Sequence, residues 1–426
     1  MKKLTVLLVL LVHFGFAQHD TLDLYRCFEA VEEHHPSARQ KPLIHQQTLL
    51  KLQNLEARWF PSANLQVQAS YQSETVEIDP DLPFDADFPS PSRDQYKATL
   101  EISQMIYDGG ATRASKKAER VGEKMGKQSV EVDLYQVKDH VVEAYFGILL
   151  LKKQKAILQA TWEELTQRRQ SVEAAVANGA LLPSDLQSIR AEELKLAQNL
   201  DETEAQIRAS YQVLAELTGL DLEESTPLEL PRPDGQVKSK SQRPENLLYD
   251  LKARQIKTSQ QVMRSQRLPK ISAFGQLGYG KPGLNMLDDE FGTFYYVGAR
   301  LSWNIWDWRQ NIRQRRVKEL ERQKVAAQEE SFNRQVDIQL ARIDASISRY
   351  EKALERDSQI VDLRREITQS SKSKLENGVI TSSDYISDLN QLTRARINQE
   401  RHRIELVKAR INRRFNTGEL QKINKP

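Results

Sequence analysis

The chain has 426 residues, of which 28% are charged and 39% hydrophobic, and its formal net charge is +3. This near balance of charge gives no support for a nucleic-acid partner, and the single cysteine excludes an intrachain disulfide framework and a cysteine-rich metal site. A length above 400 residues allows two or three ordinary domains, but the few glycines and the many Gln, Glu, Lys and Arg residues favour long helices.

The first 17 residues have the pattern of a secretory signal peptide. Lys2 and Lys3 precede a mostly apolar run that ends near Phe16, and Ala17 stands at a cleavage position. The run is too short for a membrane-spanning helix, and the alternative is an uncleaved inner-membrane anchor. Removal of the signal would lower the formal charge from +3 to +1, because both lysines would leave. No later run of about 18 apolar residues predicts a transmembrane helix.

Four segments alternate between polar and apolar residues and predict β-strands at about 63–75, 95–107, 270–280 and 293–306. The alternating part of each segment is about 9–12 residues long, which is the length of a tilted strand that crosses a bilayer. Aromatic residues cluster at the strand ends, as the interfacial girdle of a membrane barrel requires. The predicted membrane-interface residues are Tyr107, Trp303, Trp306 and Trp308.

Four strands cannot close a barrel, and an open strand edge in lipid would leave backbone groups without hydrogen-bond partners. If the strands cross a membrane, the chain must therefore form oligomers, and three copies would supply 12 strands. The alternative is two soluble strand hairpins that cap a coiled coil. The acidic, proline-rich loop at 77–94 is expected to be a solvated outer loop, and a divalent-cation site is its alternative.

Each pair of strands precedes a long helical hairpin. Apolar residues recur at steps of three or four from about Ala111 to Val176, and a second such seam runs from about Asn311 to Glu376. About 65 residues at 1.5 Å each give a helix of about 100 Å. An Asn-Gly pair breaks each seam, and glycine there supplies the left-handed conformation that ends a helix. The predicted hairpins cover 109–219 and 309–416.

The two halves repeat each other at an offset of 199 positions. Asn178-Gly179 returns as Asn377-Gly378, and Tyr107-Asp108 returns as Trp306-Asp307. Two motifs in one register predict a duplicated structural unit. The predicted domains are a signal peptide at 1–17, a first repeat at 18–219, a linker at 220–246, a second repeat at 247–417 and a flexible tail at 418–426.

Several motifs in this order resemble the TolC-type family of outer-membrane efflux proteins, the outer membrane factors. The resemblance covers about residues 20–417 and is carried by Leu24–Ala30 followed by His35-Pro36, by Ala57–Pro61, by Ile106–Gly110 and by the two Asn-Gly tips. It implies a homotrimer with a 12-stranded β-barrel in the lipid of the bacterial outer membrane and an α-helical tunnel in the periplasm. The second repeat departs from the first where Trp308-Arg309 replaces Gly109-Gly110, which is expected to alter the turn between strand and helix but to keep the Asp cap.

The resemblance also implies a function and partners. The protein would be the passive exit duct of a tripartite efflux pump or type I secretion system. A periplasmic adaptor, or membrane fusion protein, would open it by docking at the helical tips. An inner-membrane RND or ABC transporter would complete the assembly. The main alternative is a periplasmic coiled-coil adaptor or scaffold without a pore, although such adaptors generally have one helical hairpin and several compact β domains.

The same resemblance assigns roles to residues at the helical tips. The expected adaptor-docking residues are Asn178, Gly179, Leu181, Asn377, Gly378 and Ile380. Asp384 matches a position where related ducts place an acidic ring that narrows the pore, and Asp388 is the candidate for a second ring because Ser387 replaces the usual second acid. Such a ring would attract cations. The alternative for Asp384 is a first-turn acid that stabilises a helix N-terminus, the only role expected of its equivalent Asp185.

No catalytic constellation or phosphate-binding glycine loop stands out in the sequence, which therefore predicts neither an enzyme nor a resident cofactor or metal. The adjacent His34-His35-Pro36 is expected to be a surface turn. The sequence does not indicate whether the cargo is a drug, a metal ion, a siderophore or a protein. The second tip, which carries the Asp384 and Asp388 pair, is where the gate is expected.

Overall fold

A computed structural model describes residues 21–75, 92–232, 242–285 and 288–419 of the chain. The predicted signal peptide at 1–17, residues 77–91 of the predicted acidic loop, residues 233–241 of the linker and residues 420–426 of the tail lie outside these ranges. In the described part of the chain, no helix is both long enough and apolar enough to cross a membrane.

Long helices dominate the described residues, and four strands accompany them. The helices are α1 (Leu24–His34), α2 (Gln40–Ala57), α3 (Ala111–Ala177), α4 (Pro183–Thr218), α5 (Pro244–Ser265), α6 (Gln310–Glu376) and α7 (Ser382–Thr417). The strands are β1 (Ser62–Tyr71), β2 (Asp94–Tyr107), β3 (Lys270–Lys281) and β4 (Gly292–Ser302). Two long helical hairpins, α3–α4 and α6–α7, therefore follow two pairs of strands.

The chain forms two compact units. Unit 1 comprises residues 1–38, 132–243 and 334–426, and unit 2 comprises residues 39–131 and 244–333. Unit 2 holds the sheet, the helices α2 and α5, and the first turns of α3 and α6. Unit 1 holds α1 and both helical tips.

In unit 2, the four strands form one antiparallel sheet in the order β1-β2-β3-β4. Leu65 lies opposite Leu100, which lies opposite Leu277, which in turn lies opposite Tyr295. Since opposed residues share a face, these side chains form a continuous apolar surface. Leu65 is 73% exposed and Tyr295 is 76% exposed, so nothing described in the chain covers this surface.

The last strand is shorter than the sequence predicts. β4 ends at Ser302, because its partner β3 begins at the opposed residue Lys270. The predicted range of 293–306 is therefore too long, and Trp303 and Trp306 lie beyond the paired part of the strand. The first strand likewise ends at Tyr71, before the predicted end near residue 75.

In unit 1, the two hairpins share one hydrophobic core near their tips. Its members recur at heptad spacing, as in a coiled coil, and are contributed by all four long helices. They are Leu158, Leu165 and Val172 of α3, Ile189, Leu196 and Leu200 of α4, Leu375 of α6, and Tyr385, Ile386 and Leu389 of α7. Burial of each large side chain stabilises the fold by about 1.5–3 kcal/mol, so this core fixes the position of one tip against the other.

The residues just before α1 and the predicted linker meet in unit 1. Leu22 and Leu228 form a parallel β-bridge. The buried Tyr145 hydroxyl lies 2.8 Å from the Leu22 carbonyl oxygen and 2.6 Å from that of Glu229. Cys27 is fully buried on α1, and burial raises the pKa of its thiol to about 12.

Candidate functional site

Both Asn-Gly breaks end a long helix with the same hydrogen-bond pattern. Gly179 and Gly378 have φ angles of 72° and 69°. Each glycine N–H donates to the carbonyl three residues earlier at 3.0 Å, and the next N–H donates five residues back at 2.8 Å and 2.9 Å. This is the Schellman motif. A Cβ added at either glycine would meet nothing within 4 Å, so the left-handed φ alone requires glycine there.

The predicted docking residues fall into two groups. Asn178, Gly179, Asn377 and Gly378 are exposed at the tips. Leu181 and Ile380 are half-buried and pack against the shared core instead.

Two apolar residues that the sequence analysis did not select are exposed at the tips. Leu182 is 67% exposed and Val379 is 70% exposed. The direct neighbours of Leu181 and Ile380 therefore offer the apolar contact surface. Their position next to the Asn-Gly pairs was visible in the sequence, but the direction of their side chains was not.

Asp185 joins the two hairpins. One of its carboxylate oxygens, Oδ2, accepts from the Leu182 N–H at 3.2 Å and so caps its own helix. The other oxygen, Oδ1, accepts from the backbone N–H of Ser382 at 2.8 Å, at the start of α7. Asp185 and Ser382 are both buried. The prediction that Asp185 only stabilises its own helix N-terminus is therefore wrong, because the packing of the two tips brings a second helix start within reach.

Asp384, at the equivalent position of the second repeat, is exposed and bonds only within its own helix. Its Oδ2 accepts from the Thr381 hydroxyl at 2.7 Å and from the Thr381 N–H at 3.1 Å, and the Thr381 hydroxyl accepts from the Asp384 N–H at 3.3 Å. This reciprocal pair is a capping box. The hydrogen bonds from the Thr381 side chain and backbone lower the pKa of Asp384 below its ordinary value of 3.8.

Asp388, one helical turn further along α7, is half-buried and turned towards α6. Its Oδ2 accepts from the Ser371 hydroxyl at 2.5 Å, and its backbone carbonyl accepts from the Thr368 hydroxyl at 3.3 Å. The two candidate ring acids therefore have different surroundings. The Asp384 carboxylate is open to solvent, whereas that of Asp388 links the two helices of the second hairpin.

A second polar group links the hairpins close to the tips. Arg168 of α3 is buried and donates to Glu376, the last residue of α6, at 2.7 Å. Its guanidinium lies 5.7 Å from the centre of the Tyr385 ring. The Tyr385 hydroxyl donates to Glu164 at 3.1 Å, and burial raises the pKa of that hydroxyl. The hydrogen bond from Arg168 lowers the pKa of Glu376.

The sequence contained a signal for this group that was missed. Arg168 lies seven residues after Thr161 and seven before Ala175, so it interrupts the apolar seam of α3 with a charge. A charged residue is rarely buried without a partner. The nearby hollow of about 340 Å³ is lined by Arg168, Val172, Ala180, Leu181, Leu375 and Gly378, so both tips contribute to it.

At one end of the sheet in unit 2, the predicted interface aromatics lie together with the helix starts. Tyr107 is the last residue of β2. Trp303 donates its ring N–H to the Arg267 carbonyl at 3.1 Å, and the rings of Trp306 and Trp308 meet edge to face at 5.8 Å. The three tryptophans are exposed, as expected of residues that meet lipid headgroups.

The strand-to-helix turns keep one backbone conformation in both repeats. Gly109 and Gly110 have φ angles of 67° and 80°, and Trp308 and Arg309 take the same left-handed region at 50° and 61°. The prediction that this turn differs between the repeats is therefore wrong. Trp308 and Arg309 adopt the left-handed conformation of the two glycines, which costs about 1–2 kcal/mol per residue.

The aspartate caps of these turns are confirmed. Asp108 accepts from the Thr112 N–H at 2.6 Å, and Asp307 accepts from the Asn311 N–H at 3.1 Å. Among the described residues, no group of three or more His, Cys, Asp or Glu side chains could hold a metal ion.

Residues 31–220 match the family described as outer membrane efflux protein. Among solved structures, the chain is similar to the Campylobacter jejuni CmeC outer membrane channel, with 14% identity and a TM-score of 0.69 over 94% of this chain and 86% of that one. It is also similar to the outer membrane protein VceC from Vibrio cholerae, with 15% identity and a TM-score of 0.68 over 93% of this chain and 96% of that one.

A third similar structure is the open state of the Neisseria gonorrhoeae MtrE outer membrane channel, with 16% identity and a TM-score of 0.66 over 94% of this chain and 91% of that one. At these identities, the likeness shows a shared fold. A comparison with the curated proteins gave no sequence match.

Proposed function

Because residues 31–220 match the outer membrane efflux protein family, we propose that three copies form the passive exit duct of a tripartite efflux pump or a type I secretion system. The protein resides in the bacterial outer membrane and extends into the periplasm, and as a channel of this family it is not an enzyme. The observation that carries the proposal is one chain with both an exposed apolar sheet face and two helical hairpins on a shared core. A pore-free adaptor of the periplasm would have no use for the apolar face.

The sheet supports the trimer. β1 and β4 each have a strand neighbour on one side only, and an unpaired strand edge in lipid leaves its backbone groups without partners. Pairing of β1 in one copy with β4 in the next removes both edges. Three copies close a 12-stranded barrel, which places the surface around Leu65 and Tyr295 against lipid.

The tips support docking of a periplasmic adaptor. Asn377 and Gly378 line the hollow to which both hairpins contribute, and Asn178 and Gly179 are exposed at the other tip. Leu182 and Val379 supply exposed apolar surface beside it. Leu181 and Ile380 pack against the core beneath their exposed neighbours and so support this surface.

The exposed carboxylate of Asp384 supports a role in the pore constriction. Three copies around a threefold axis would bring three such carboxylates into one ring, which attracts cations and disfavours anions. Asp388 is the candidate for a second ring one turn away. Its bond to Ser371 holds it towards α6, so a second ring requires that this bond is exchanged when the helices move.

The partners follow from the passive nature of the duct. Energy must come from an inner-membrane RND or ABC transporter, and the adaptor must connect that transporter to the tips. Drugs, metal ions, siderophores and proteins are all candidate cargoes, since the described residues form no binding site that selects among them.

The experiment that tests the proposal measures assembly and conduction together. The protein purified from outer membranes should run as a trimer on a gel without heating, should run as a monomer after heating, and should conduct ions in a planar bilayer. It should also restore drug or protein export to a host that lacks its own duct, provided that the matching adaptor and transporter are supplied. A monomer without conductance would refute the duct.

A further inference from the structure

A hollow in unit 2 lies where β2 ends and α3 begins. It measures about 860 Å³ and is lined by Trp59, Tyr107, Arg113, Lys117 and Arg120, among other residues. Two aromatic side chains thus stand beside three basic ones. Lys116 also lines the hollow, and its ammonium group is paired with Glu56 at 2.8 Å.

A β-bulge shows which side of the sheet the hollow adjoins. The pairing of β2 with β3 shifts by one residue between Met105 and Tyr107, so that Tyr107 rather than Ile106 lies opposite Ile271. Ile271 itself lies opposite Leu301, on the same face as the apolar surface that carries Leu277. Because opposed residues share a face, Tyr107 belongs to the lipid side of the sheet. The hollow that it lines therefore continues the lipid-facing surface.

One acidic residue, Asp108, lines the hollow together with four basic residues. Arg113, Lys117 and Arg120 are exposed, and none of them has an ion-pair partner among the described residues. The first ten residues of α3 contain a single acid, Glu119, which is paired with Lys51 at 3.6 Å. An anion that enters the hollow therefore meets three cations without an ion-pair partner, and the one acid there, Asp108, already accepts from the Gly110 and Thr112 N–H groups.

The second repeat contains part of this layer in the same register, although Ile312 and Glu319 take the positions of Arg113 and Arg120. Trp306 takes the position of Tyr107, and Arg315 and Arg316 take the positions of Lys116 and Lys117, all at the offset of 199. An aromatic residue followed by two adjacent basic residues thus recurs in the second repeat, and the other two basic residues of the hollow do not. Aromatic rings with basic residues just beyond them are typical of proteins at the headgroup level of a membrane.

We propose that this hollow binds the phosphate headgroup of an anionic phospholipid in the periplasmic leaflet of the outer membrane. Arg113, Lys117 and Arg120 contact the phosphate oxygens, since guanidinium and ammonium groups form charge-assisted hydrogen bonds with phosphate. Trp59 and Tyr107 lie against the glycerol and the first acyl carbons, at the depth that amphipathic rings prefer. The inference rests on the membrane placement of the sheet and does not depend on the cargo or the adaptor.

Native mass spectrometry of the delipidated full-length trimer tests this inference. Titration with phosphatidylglycerol should give one tightly bound lipid for each chain, whereas phosphatidylcholine should bind at least tenfold more weakly. Each basic residue near an anionic lipid contributes about fivefold in affinity. The triple variant Arg113→Gln, Lys117→Gln, Arg120→Gln should therefore bind phosphatidylglycerol about 100-fold more weakly.

A matched control removes the same charge from elsewhere on the chain. Arg342→Gln, Lys352→Gln and Arg356→Gln change three exposed cations of α6 in unit 1, and this variant should bind the lipid as the original protein does. The charge-preserving variant Arg113→Lys, Lys117→Arg, Arg120→Lys should keep the affinity within about threefold. It serves as the test if the triple glutamine variant does not assemble.

Three results would overturn the inference. They are equal binding of phosphatidylglycerol by the triple variant, equal binding of phosphatidylcholine, and displacement of the lipid by millimolar inorganic phosphate, which would indicate a site for soluble phosphate. Conductance of the same trimers in planar bilayers reports on the duct separately. A conducting trimer without lipid selectivity refutes only the lipid site, and a trimer with lipid selectivity but no conductance refutes only the duct.

Discussion

Replacement of Asp185 by alanine should loosen one helical tip from the other. The variant loses the acceptor for the Ser382 N–H, which lies 2.8 Å from the carboxylate in a buried position. It also loses the contact with the Leu182 N–H at 3.2 Å. Alanine adds no new bulk, so the shared hydrophobic core stays in place.

The magnitude follows from the two lost contacts. A buried N–H without a partner costs about 1–3 kcal/mol, and loss of a capping acceptor costs about 1 kcal/mol. We expect the local opening of the α7 start to become easier by about 2 kcal/mol, which is roughly a 30-fold change in its equilibrium constant. Asp185→Asn keeps an oxygen acceptor and should show a smaller change.

Hydrogen exchange measured by mass spectrometry checks this expectation. The peptide that contains the Ser382 amide should exchange roughly 30-fold faster in Asp185→Ala. Asp384→Ala is the matched control, because it removes the equivalent acid of the second repeat but no bond between the hairpins. Unchanged exchange at Ser382 in Asp185→Ala, or equal acceleration in the control, would refute the reasoning.

Four further predictions concern the tips and the turns. Gly378→Ala should lower the stability of the second tip by about 1–2 kcal/mol in thermal unfolding, because φ is 69° there, whereas the control Gly147→Ala, within α3, should be neutral or stabilising. Asp384→Ala should lower the cation selectivity of the pore in reversal-potential measurements, and unchanged selectivity would remove Asp384 from the constriction. In the original protein the pKa of Asp384 is lowered below 3.8. The stabilisation of the helix start by its carboxylate is therefore complete above about pH 4 and is lost as the pH falls through the lowered pKa. Thr381→Val removes the hydroxyl that lowers this pKa, so the stabilisation should be lost at a higher pH. Trp308→Gly should relieve about 1 kcal/mol of backbone strain and should not lower the melting temperature of the trimer, and a lower value would show that the ring contact with Trp306 outweighs the strain.

The helices and strands could be predicted because their signals are local. A strand repeats its side-chain direction every two residues and a helix every 3.6, so the apolar pattern alone marks both kinds of element. The Asn-Gly pairs mark the tips for an equally local reason, since Gly179 and Gly378 need a left-handed φ that other residues resist. The family resemblance then supplied the assembly, which no local pattern contains.

The contacts between the hairpins could not be predicted, because they depend on which residues the packing brings together. Asp185 and Asp384 occupy equivalent positions in the two repeats, yet one is buried against a second helix and the other faces solvent. The backbone of the Trp308-Arg309 turn escaped prediction for a different reason. Side-chain propensity argues against a left-handed conformation there, and the duplicated fold overrides that propensity.

Asp185 and Asp384 occupy equivalent positions but make different contacts, so the two hairpins have different roles. Asp185 holds the start of α7 as well as the start of its own helix, whereas Asp384 holds only its own helix. Loss of the bond to Ser382 and of the bond between Arg168 and Glu376 would therefore loosen the second hairpin without removing the Asp384 cap, and the bond between Tyr385 and Glu164 and the shared core would still hold it. The bond between Arg168 and Glu376 ends on an exposed carboxylate that a docking partner can reach, whereas the bond between Asp185 and Ser382 is buried. We therefore expect the second hairpin to move when the duct opens, and the first to stay in place.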